Sequence, residues 1–436
     1  MLAGDPARHL HPATDGLERG HPATAALLAL FTLAIFLSTA ATNVLAGVVC
    51  GTSLFYWYRF RPLWLLRHPV SIAVASFYAW LLLRELPDGG LEGIAHAADQ
   101  FRILAFVVLW LPLFVAARHR RAVLAAAGGS ILLFMVMALV GRVILGHLFY
   151  PTMIHKLTFE LPAGIHQFVL HFFMRAPDFA GPILVGFTFA AFELAWLDRR
   201  RRWCYLAFGI AATAVVFLAT ARRTSQVGWV LCGLLYLLLH LKLLPLRQRL
   251  VLAAVTIATV VGLLATPTMQ DSFGRIVSDV KEFNALPASE RGNVQTSGTL
   301  RLRFWTVALG VVEQSPWTGT SESAYRRHYV AQDNAMGGSS QQQQHGHPHN
   351  EYLHVLGALG IVGLALYVAL HVAAMRSGKA QPSRAQRHIL GYYLLAALSS
   401  AFVNSLAIDM VPGHFHALAL LGLAFFPWDA PPEAAA

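Results

Sequence analysis

A histidine stands at the start of a long apolar run in this 436-residue chain. His349 is followed by Asn350 and Glu351, and the apolar run occupies residues 352–373. An imidazole has an ordinary pKa of ~6.5, so at neutral pH it can accept a proton from a reacting hydroxyl. His349 is therefore a candidate general base at a membrane–water boundary. A surface residue that precedes a helix is the alternative.

Two groups of arginines could bind an anion. Arg222 and Arg223 lie in a short connection between two apolar runs, where adjacent cations suggest an anionic ligand. Arg301 and Arg303 open a segment with helical character. Residues at i and i+2 point in different directions, so at most one of this second pair faces a given ligand, and Arg301 shares its face with Trp305. Snorkelling to lipid phosphates and salt bridging within the loop remain the alternatives.

Guanidinium groups beside a potential base suggest a reaction at a lipid phosphate or diphosphate. Each charged hydrogen bond to phosphate contributes ~1.5–3 kcal/mol, so several can hold a diphosphate and stabilise it as a leaving group. A metal-based site would need paired acids, and the acids of residues 267–351 show no D-x-D spacing. The alternating His345, His347 and His349 have no nearby Cys or Asp to complete a zinc set. The sequence thus predicts arginine in place of a divalent metal, with no metal and no cofactor.

The composition predicts that most of the chain lies in a membrane. Hydrophobic residues make up 56% of it and charged residues 13%, with a mean hydropathy of +0.54. Soluble domains are usually ~45–50% apolar and ~25% charged. This excludes an ordinary soluble enzyme, a coiled coil and a disordered chain. The net charge of +11 is spread in short clusters between apolar runs, which indicates membrane orientation rather than nucleic-acid binding.

The apolar runs predict an all-α polytopic membrane protein with about twelve transmembrane helices. Each run approaches the ~20 residues that cross a ~30 Å hydrocarbon layer. The approximate limits are 25–41, 43–58, 69–84, 102–117, 122–144, 181–197, 203–221, 226–241, 249–266, 352–373, 387–405 and 414–428.

The distribution of Lys and Arg predicts the orientation. The connections after the second, fourth, sixth, eighth and tenth predicted spans each carry at least three Lys or Arg residues. The short connections on the other side of the membrane carry almost none, apart from Arg222 and Arg223. The positive-inside rule then places both termini in the cytoplasm. The chain divides into a cytoplasmic segment 1–24, spans in 25–266, a large periplasmic loop 267–351, spans in 352–428 and a cytoplasmic tail 429–436.

Two segments on the predicted periplasmic side are long. Within residues 145–180, the apolar side chains of 161–175 share one helical face, which predicts an interfacial helix. A re-entrant packing segment remains the alternative. The large loop contains a predicted helix at 300–314 that ends at Pro316. On this topology the arginine pair, the loop arginines and the candidate base all face one side of the membrane.

Three motifs resemble the O-antigen ligase family, whose relatives include O-antigen polymerases and O-linked oligosaccharyltransferases. T-A-R-R is similar to the family's T-x-S-R and maps its Arg to Arg223, with Arg222 in place of the Ser. R-L-R-F-W, at residues 301–305, is similar to R-L-x-x-W and is followed by a P-x-x-G sequence. H-N-E-Y-L is similar to H-N-x-x-L and precedes a helix with spaced glycines. The resemblance covers the membrane layout and roughly residues 215–370.

The resemblance implies an inner-membrane glycosyltransferase of Gram-negative bacteria with a C-type membrane fold. It implies an O-antigen donor on undecaprenyl diphosphate and an acceptor sugar on the lipid A-core, joined at the periplasmic face into lipopolysaccharide. The transfer would be inverting and metal-independent. Arg223 and Arg301, with Arg222, would then clamp the diphosphate, and His349 would act as base. Supporting candidates are Arg303, Asn350 and Trp305.

Other functions share part of this pattern. An O-antigen polymerase uses the same donor, and a protein O-oligosaccharyltransferase transfers to a Ser or Thr hydroxyl. A transporter or flippase for an anionic lipid predicts broken or charged helices near mid-membrane and repeated halves, and the sequence shows neither. A non-catalytic scaffold accounts for the spans but not for the arginine pair. The identity of the acceptor decides among the enzymes.

Overall fold

Helices account for nearly all of the regular structure in the computed structural model. It describes residues 12–144, 176–220, 223–241, 245–265, 267–294, 296–337, 347–379, 383–406 and 410–426, and these contain no strand. The predicted interfacial helix at 161–175, Arg222, His345 and the tail 429–436 lie outside the described residues.

The helices of the described residues are named here in chain order. They are α1 (Pro12–Arg19), α2 (Pro22–Leu37), α3 (Thr39–Phe60), α4 (Pro69–Gln100), α5 (Arg102–Leu109), α6 (Leu111–Phe114), α7 (Ala117–Ile144), α8 (Ala176–Leu197), α9 (Arg202–Ala214), α10 (Arg223–Leu241), α11 (Leu246–Leu264), α12 (Pro267–Ala285), α13 (Ser297–Val312), α14 (Glu322–Ala335), α15 (Glu351–Lys379), α16 (Arg384–Ser400) and α17 (Met410–Leu420). Short π-helical turns extend α9 through Val215–Thr220 and α17 through Leu421–Phe425.

Most of the helices coincide with apolar runs, so the described part of the chain is all-helical and the protein is membrane-integral. Among the described residues, five helical stretches are long and apolar enough to cross a membrane, namely Thr39–Phe60, Pro69–Gln100, Ala117–Leu139, Ala180–Leu197 and Glu351–Lys379. Shorter apolar helices are Pro22–Leu37, Arg202–Phe217, Thr224–His240 and Pro412–Phe425. The total of twelve spans stays a prediction.

Proline and glycine change two of the predicted spans. The run at 69–84 continues as α4, in which Pro87 interrupts the helix and Gly90 takes a φ of 56°. Glycine adopts this left-handed conformation readily, so the chain can resume a helix beyond the kink. The run at 102–117 forms two short helices, α5 and α6, and Pro112 stands at the start of the second.

The predicted large loop is mostly helical. It contains α12, α13 and α14, and the helix predicted at 300–314 is present as α13. Thr296 caps α13, because its side-chain oxygen accepts a hydrogen bond from the backbone N of Thr299 at 3.2 Å. The helix ends before Pro316, as the sequence indicates.

Helices α10, α15 and α16 define two ends of the bundle. The backbone N of Glu351 donates to the carbonyl O of Ala401 at 2.9 Å, so α15 begins where α16 ends. Gly228, in the first half of α10, faces Ser399 near the end of α16. Helices α10 and α15 therefore begin at the same end, which we call the His349 end. Helix α16 begins at the opposite end.

Candidate functional site

The second and third motifs meet in space. Phe304 lies on α13, one turn after Arg301, and its ring centroid is 5.7 Å from that of His349. Residues three apart are neighbours on a helix surface, so Arg301 belongs to the same side of α13 as this contact. Arg301 is partly buried and His349 is exposed. An arginine and an accessible imidazole thus lie on adjacent elements.

The arginine carried by the first motif, Arg223, lies at the same end of the bundle. Arg223 is the first residue of α10, and this helix begins at the His349 end. The start of a helix carries about half a positive charge, to which Arg223 adds a formal one. The beginning of α10 is therefore favourable for an anion.

The backbone around His349 is fixed on both sides. His349 has a φ of 48°, a left-handed conformation that costs a non-glycine residue of the order of 1–3 kcal/mol. Its backbone N donates to Nδ1 of His347 at 2.9 Å. The next residue, Asn350, caps α15 by accepting a hydrogen bond from the backbone N of Leu353 at 3.0 Å. The Asn and Leu of H-N-x-x-L are thus the two ends of one capping bond that positions His349.

Glu351 holds the start of α15 against the segment that follows α16. It is fully buried, and its carboxylate accepts a hydrogen bond from the backbone N of Leu406. Its backbone N donates a hydrogen bond to the carbonyl O of Ala401. The segment that follows α16 is therefore attached to the first turn of α15.

Arg303 has a different role from Arg301. It is fully buried, and its Nε and one terminal nitrogen donate to the two carboxylate oxygens of Asp333 at 2.7 and 2.5 Å. The other terminal nitrogen donates to the carbonyl O of Gly292 at 2.6 Å. Arg303 therefore ties α13 to α14. Trp305, the other candidate on α13, is partly buried, and its indole N makes no hydrogen bond among the described residues.

The P-x-x-G sequence fills a break in α15. The helix is interrupted at Gly360, whose φ is 69°. The carbonyls of residues 357 and 358 accept hydrogen bonds from the backbone N atoms of residues 320 and 321 at 3.0 and 2.9 Å. Past the break, the backbone N of Ile361 donates to the carbonyl O of Pro316 at 2.9 Å. The backbone N and O atoms that have no partner within the helix at the break are thereby hydrogen-bonded.

A membrane helix holds the same connection from the other side. Glu85 of α4 is fully buried. Its carboxylate accepts hydrogen bonds from the Ser323 hydroxyl at 2.6 Å and from the backbone N atoms that begin α14. The guanidinium of Arg84 donates to the carbonyls of Thr318 and Gly319, both at 2.9 Å. A carboxylate at a helix N-terminus is stabilising. Arg84 and Glu85 lie outside the three motifs, and the signal for them in the sequence is an acid directly after an apolar run.

A buried polar contact continues from α14 to α15. Nε2 of His354 donates to the carboxylate of Glu322 at 2.8 Å, and the ring of His347 stacks on that of His354 with centroids 4.8 Å apart. Burial and then the charges nearby raise the pKa of the Tyr325 hydroxyl well above its ordinary value, so this phenol stays neutral. His347, which holds the backbone of His349, is itself positioned by this contact.

The site combines cations with an accessible base. Arg301 and the start of α10 favour an anion, and His349 can take up a proton. Within the described part of the chain, the only group of three side chains suited to a metal lies at the opposite end of the bundle. The arrangement at the His349 end suits the departure of an anionic group with removal of a proton from the attacking hydroxyl.

Comparison with known proteins agrees with the motifs. Residues 208–368 match the family model described as O-antigen ligase. No curated protein matches the chain significantly. The matched region runs from α9 into α15 and includes all three motifs, so the resemblance predicted from them is confirmed there. Residues 208–368 are thus similar to the O-antigen ligase family, and this similarity indicates a membrane enzyme of the O-antigen ligase or polymerase type.

Proposed function

We propose that the protein transfers O-antigen polysaccharide from undecaprenyl diphosphate to a sugar of the lipid A-core. The transfer takes place at the periplasmic face of the inner membrane and completes lipopolysaccharide. The family match over residues 208–368 supports glycosyl transfer. The contact between Phe304 and His349 carries the assignment of the site, because it joins the helix of Arg301 to the candidate base.

In this proposal arginines bind the donor. Arg301 and Arg223, with Arg222, clamp the diphosphate, and the N-terminus of α10 adds its partial charge. Each charged hydrogen bond contributes ~1.5–3 kcal/mol, and the bonds strengthen as charge develops on the leaving oxygen. The diphosphate is a stable anion and leaves without a general acid.

His349 activates the acceptor. An imidazole nitrogen takes the proton of the acceptor hydroxyl while the hydroxyl oxygen attacks the anomeric carbon. The bond from that carbon to the diphosphate oxygen breaks in the same displacement, so the anomeric configuration inverts. The exposure of the His349 ring supports access by a large acceptor.

A strain that lacks the protein tests the acceptor. A ligase leaves polymer stranded on the undecaprenyl carrier and bare lipid A-core, and a plasmid copy restores full-length lipopolysaccharide. Core that bears a single repeat unit would instead identify a polymerase. Loss of glycan from secreted proteins, with normal lipopolysaccharide, would identify an oligosaccharyltransferase.

Purified protein tests the metal-independent step. Transfer between the two lipid substrates should persist in excess chelator. A loss of transfer that Mg²⁺ or Mn²⁺ restores would contradict the use of arginine in place of a divalent metal.

A further inference from the structure

We propose that Glu193, His240 and His388 form a zinc site at the end of the bundle opposite His349. The three side chains come from the end of α8, the end of α10 and the start of α16. Each offers one ligand atom, and these atoms all lie within 4.8 Å of one another. Two histidines and one glutamate are an established ligand set for zinc.

The distances fit a tetrahedral ion. Nδ1 of His388 is 2.9 Å from one carboxylate oxygen of Glu193, and Nε2 of His240 is 3.2 Å from the other. Ligands at bond lengths of ~2.0 Å around a tetrahedral ion lie ~3.3 Å apart.

Second contacts orient the ligands toward a shared centre. Nδ1 of His240 lies 2.9 Å from the carbonyl O of Tyr236. A carbonyl only accepts, so this nitrogen carries the proton, and Nε2 faces the carboxylate with either a second proton or a cation between them. The hydroxyl of Tyr392 donates to Glu193 at 3.1 Å. Such outer contacts are typical of metal-binding histidines and carboxylates.

The setting requires a cation. Glu193 is 2% exposed within an apolar helix, and a carboxylate in such a place is unfavourable without a partner. The side chain of His388 is 12% exposed, so the cluster reaches the molecular surface. None of these residues takes part in the proposed transfer, so the metal site stands apart from it.

A second histidine cluster provides a matched control. Nε2 of His371 lies 3.1 Å from Nε2 of His416, and Nδ1 of His416 contacts the Tyr393 hydroxyl at 3.0 Å. This cluster includes histidines and a tyrosine but no carboxylate. It offers two strong ligands where zinc sites in proteins use three or four.

Cobalt binding tests the proposal with the full-length protein in detergent, purified without a histidine tag. After removal of metals by chelator, titration with Co²⁺ should give one ion per chain with visible ligand-field bands, and Zn²⁺ should displace it. Glu193→Gln should abolish the bands, whereas His416→Gln should retain them. Tyr392→Phe should weaken Co²⁺ binding ~10–100-fold through loss of an outer contact.

A variant that gains an absorption band distinguishes loss of a metal ligand from misfolding. His388→Cys should still bind Co²⁺ and add a thiolate-to-cobalt absorption that the wild type, with its three other cysteines, does not show. Wild-type protein that binds no more Co²⁺ than Glu193→Gln would overturn the proposal. The cluster would then be a buried ion pair of Glu193 with a protonated His240.

Discussion

Histidine occurs in two contrasting settings at the two ends of this bundle. At one end the His349 ring is exposed, beside the helix of Arg301. At the other end His240 and His388 contact the buried carboxylate of Glu193. An exposed imidazole can exchange a proton with a substrate, whereas an imidazole held by a buried acid is committed to that acid or to a cation shared with it. Burial, rather than residue type, therefore distinguishes the candidate base from the candidate metal ligands.

The same contrast occurs within one helix. Arg301 and Arg303 are two residues apart on α13, yet only Arg303 is fully buried and bonded in two-point fashion to Asp333. Arg303 stabilises the loop that presents Arg301. Variants that treat the two arginines as equivalent should therefore give different results.

The largest effect on activity is expected at the exposed histidine. His349→Ala should reduce the rate of transfer ~10²–10⁴-fold, because a general base contributes about that much. Lipopolysaccharide ladders on gels and transfer by purified protein measure the effect. His328→Ala, on α14 in the same loop, should transfer normally. A near-normal ladder from the His349→Ala strain would reject the role of base.

A large effect on stability is expected at the buried arginine. Arg303→Ala leaves Asp333 buried without its partner, which should destabilise the protein by ~3–5 kcal/mol. Thermal unfolding in detergent and the amount of protein in membranes measure the change. Arg301→Ala, at a residue that is only partly buried, should lose less stability than Arg303→Ala and yet transfer poorly. Equal loss of stability in both variants would show that the two arginines do not differ as described.

Local sequence patterns predict the helices better than they predict the contacts. The helical pattern of residues 300–314 and Pro316 predict α13, and apolar runs predict the five helical stretches that are long and apolar enough to cross a membrane. The hydrogen bond from Ser323 to Glu85 joins residues 238 positions apart, and no periodicity reveals such a pair. Helices α12 and α14 were not predicted, because they are polar and their stability depends on packing.

In the candidate site, too, sequence patterns predict residues better than they predict the contacts of those residues. The three motifs predict Arg223, Arg301 and His349 as site residues. The helices α10 and α15 begin at one end of the bundle, and Phe304 of α13 contacts His349; the roles of the three residues stay predictions. The pairing of Arg303 with Asp333 could not be predicted from the spacing of residues along the sequence. Glu193 lies outside the three motifs, although a lone acid in the run 181–197 indicates a functional site in a membrane helix.

A moderate effect is expected at the break in α15. Gly360→Ala places a Cβ 2.3 Å from the carbonyl O of Trp317 at a φ of 69°. The backbone alone, with a φ of 69° and a ψ of −172° that are essentially confined to glycine, should destabilise the alanine variant by about 1–3 kcal/mol, and displacement of the P-x-x-G connection should reduce transfer. Gly51→Ala, where nothing lies within 4 Å of the added Cβ, should unfold like wild type. Equal unfolding of the two variants would contradict the close packing of this break.

The smallest effect is expected at the helix caps. Asn350→Ala removes the cap of α15 and should destabilise the protein by ~1 kcal/mol. It should also reduce transfer, because the cap positions His349. Ser383→Ala removes the equivalent cap of α16, where Ser383 accepts from the backbone N of Gln386 at 3.3 Å, and should lower stability alone. Equal transfer by Asn350→Ala and Ser383→Ala would show that the cap of α15 does not contribute to catalysis.

Donor binding tests the central claim, that arginines hold the diphosphate while His349 serves the chemistry. The measurement is the affinity of purified protein for undecaprenyl diphosphate-linked glycan. We predict wild-type affinity for His349→Ala and a ~10–100-fold weaker affinity for Arg301→Gln, the value of one charged hydrogen bond. Wild-type affinity in Arg301→Gln, or loss of binding in His349→Ala, would contradict the account.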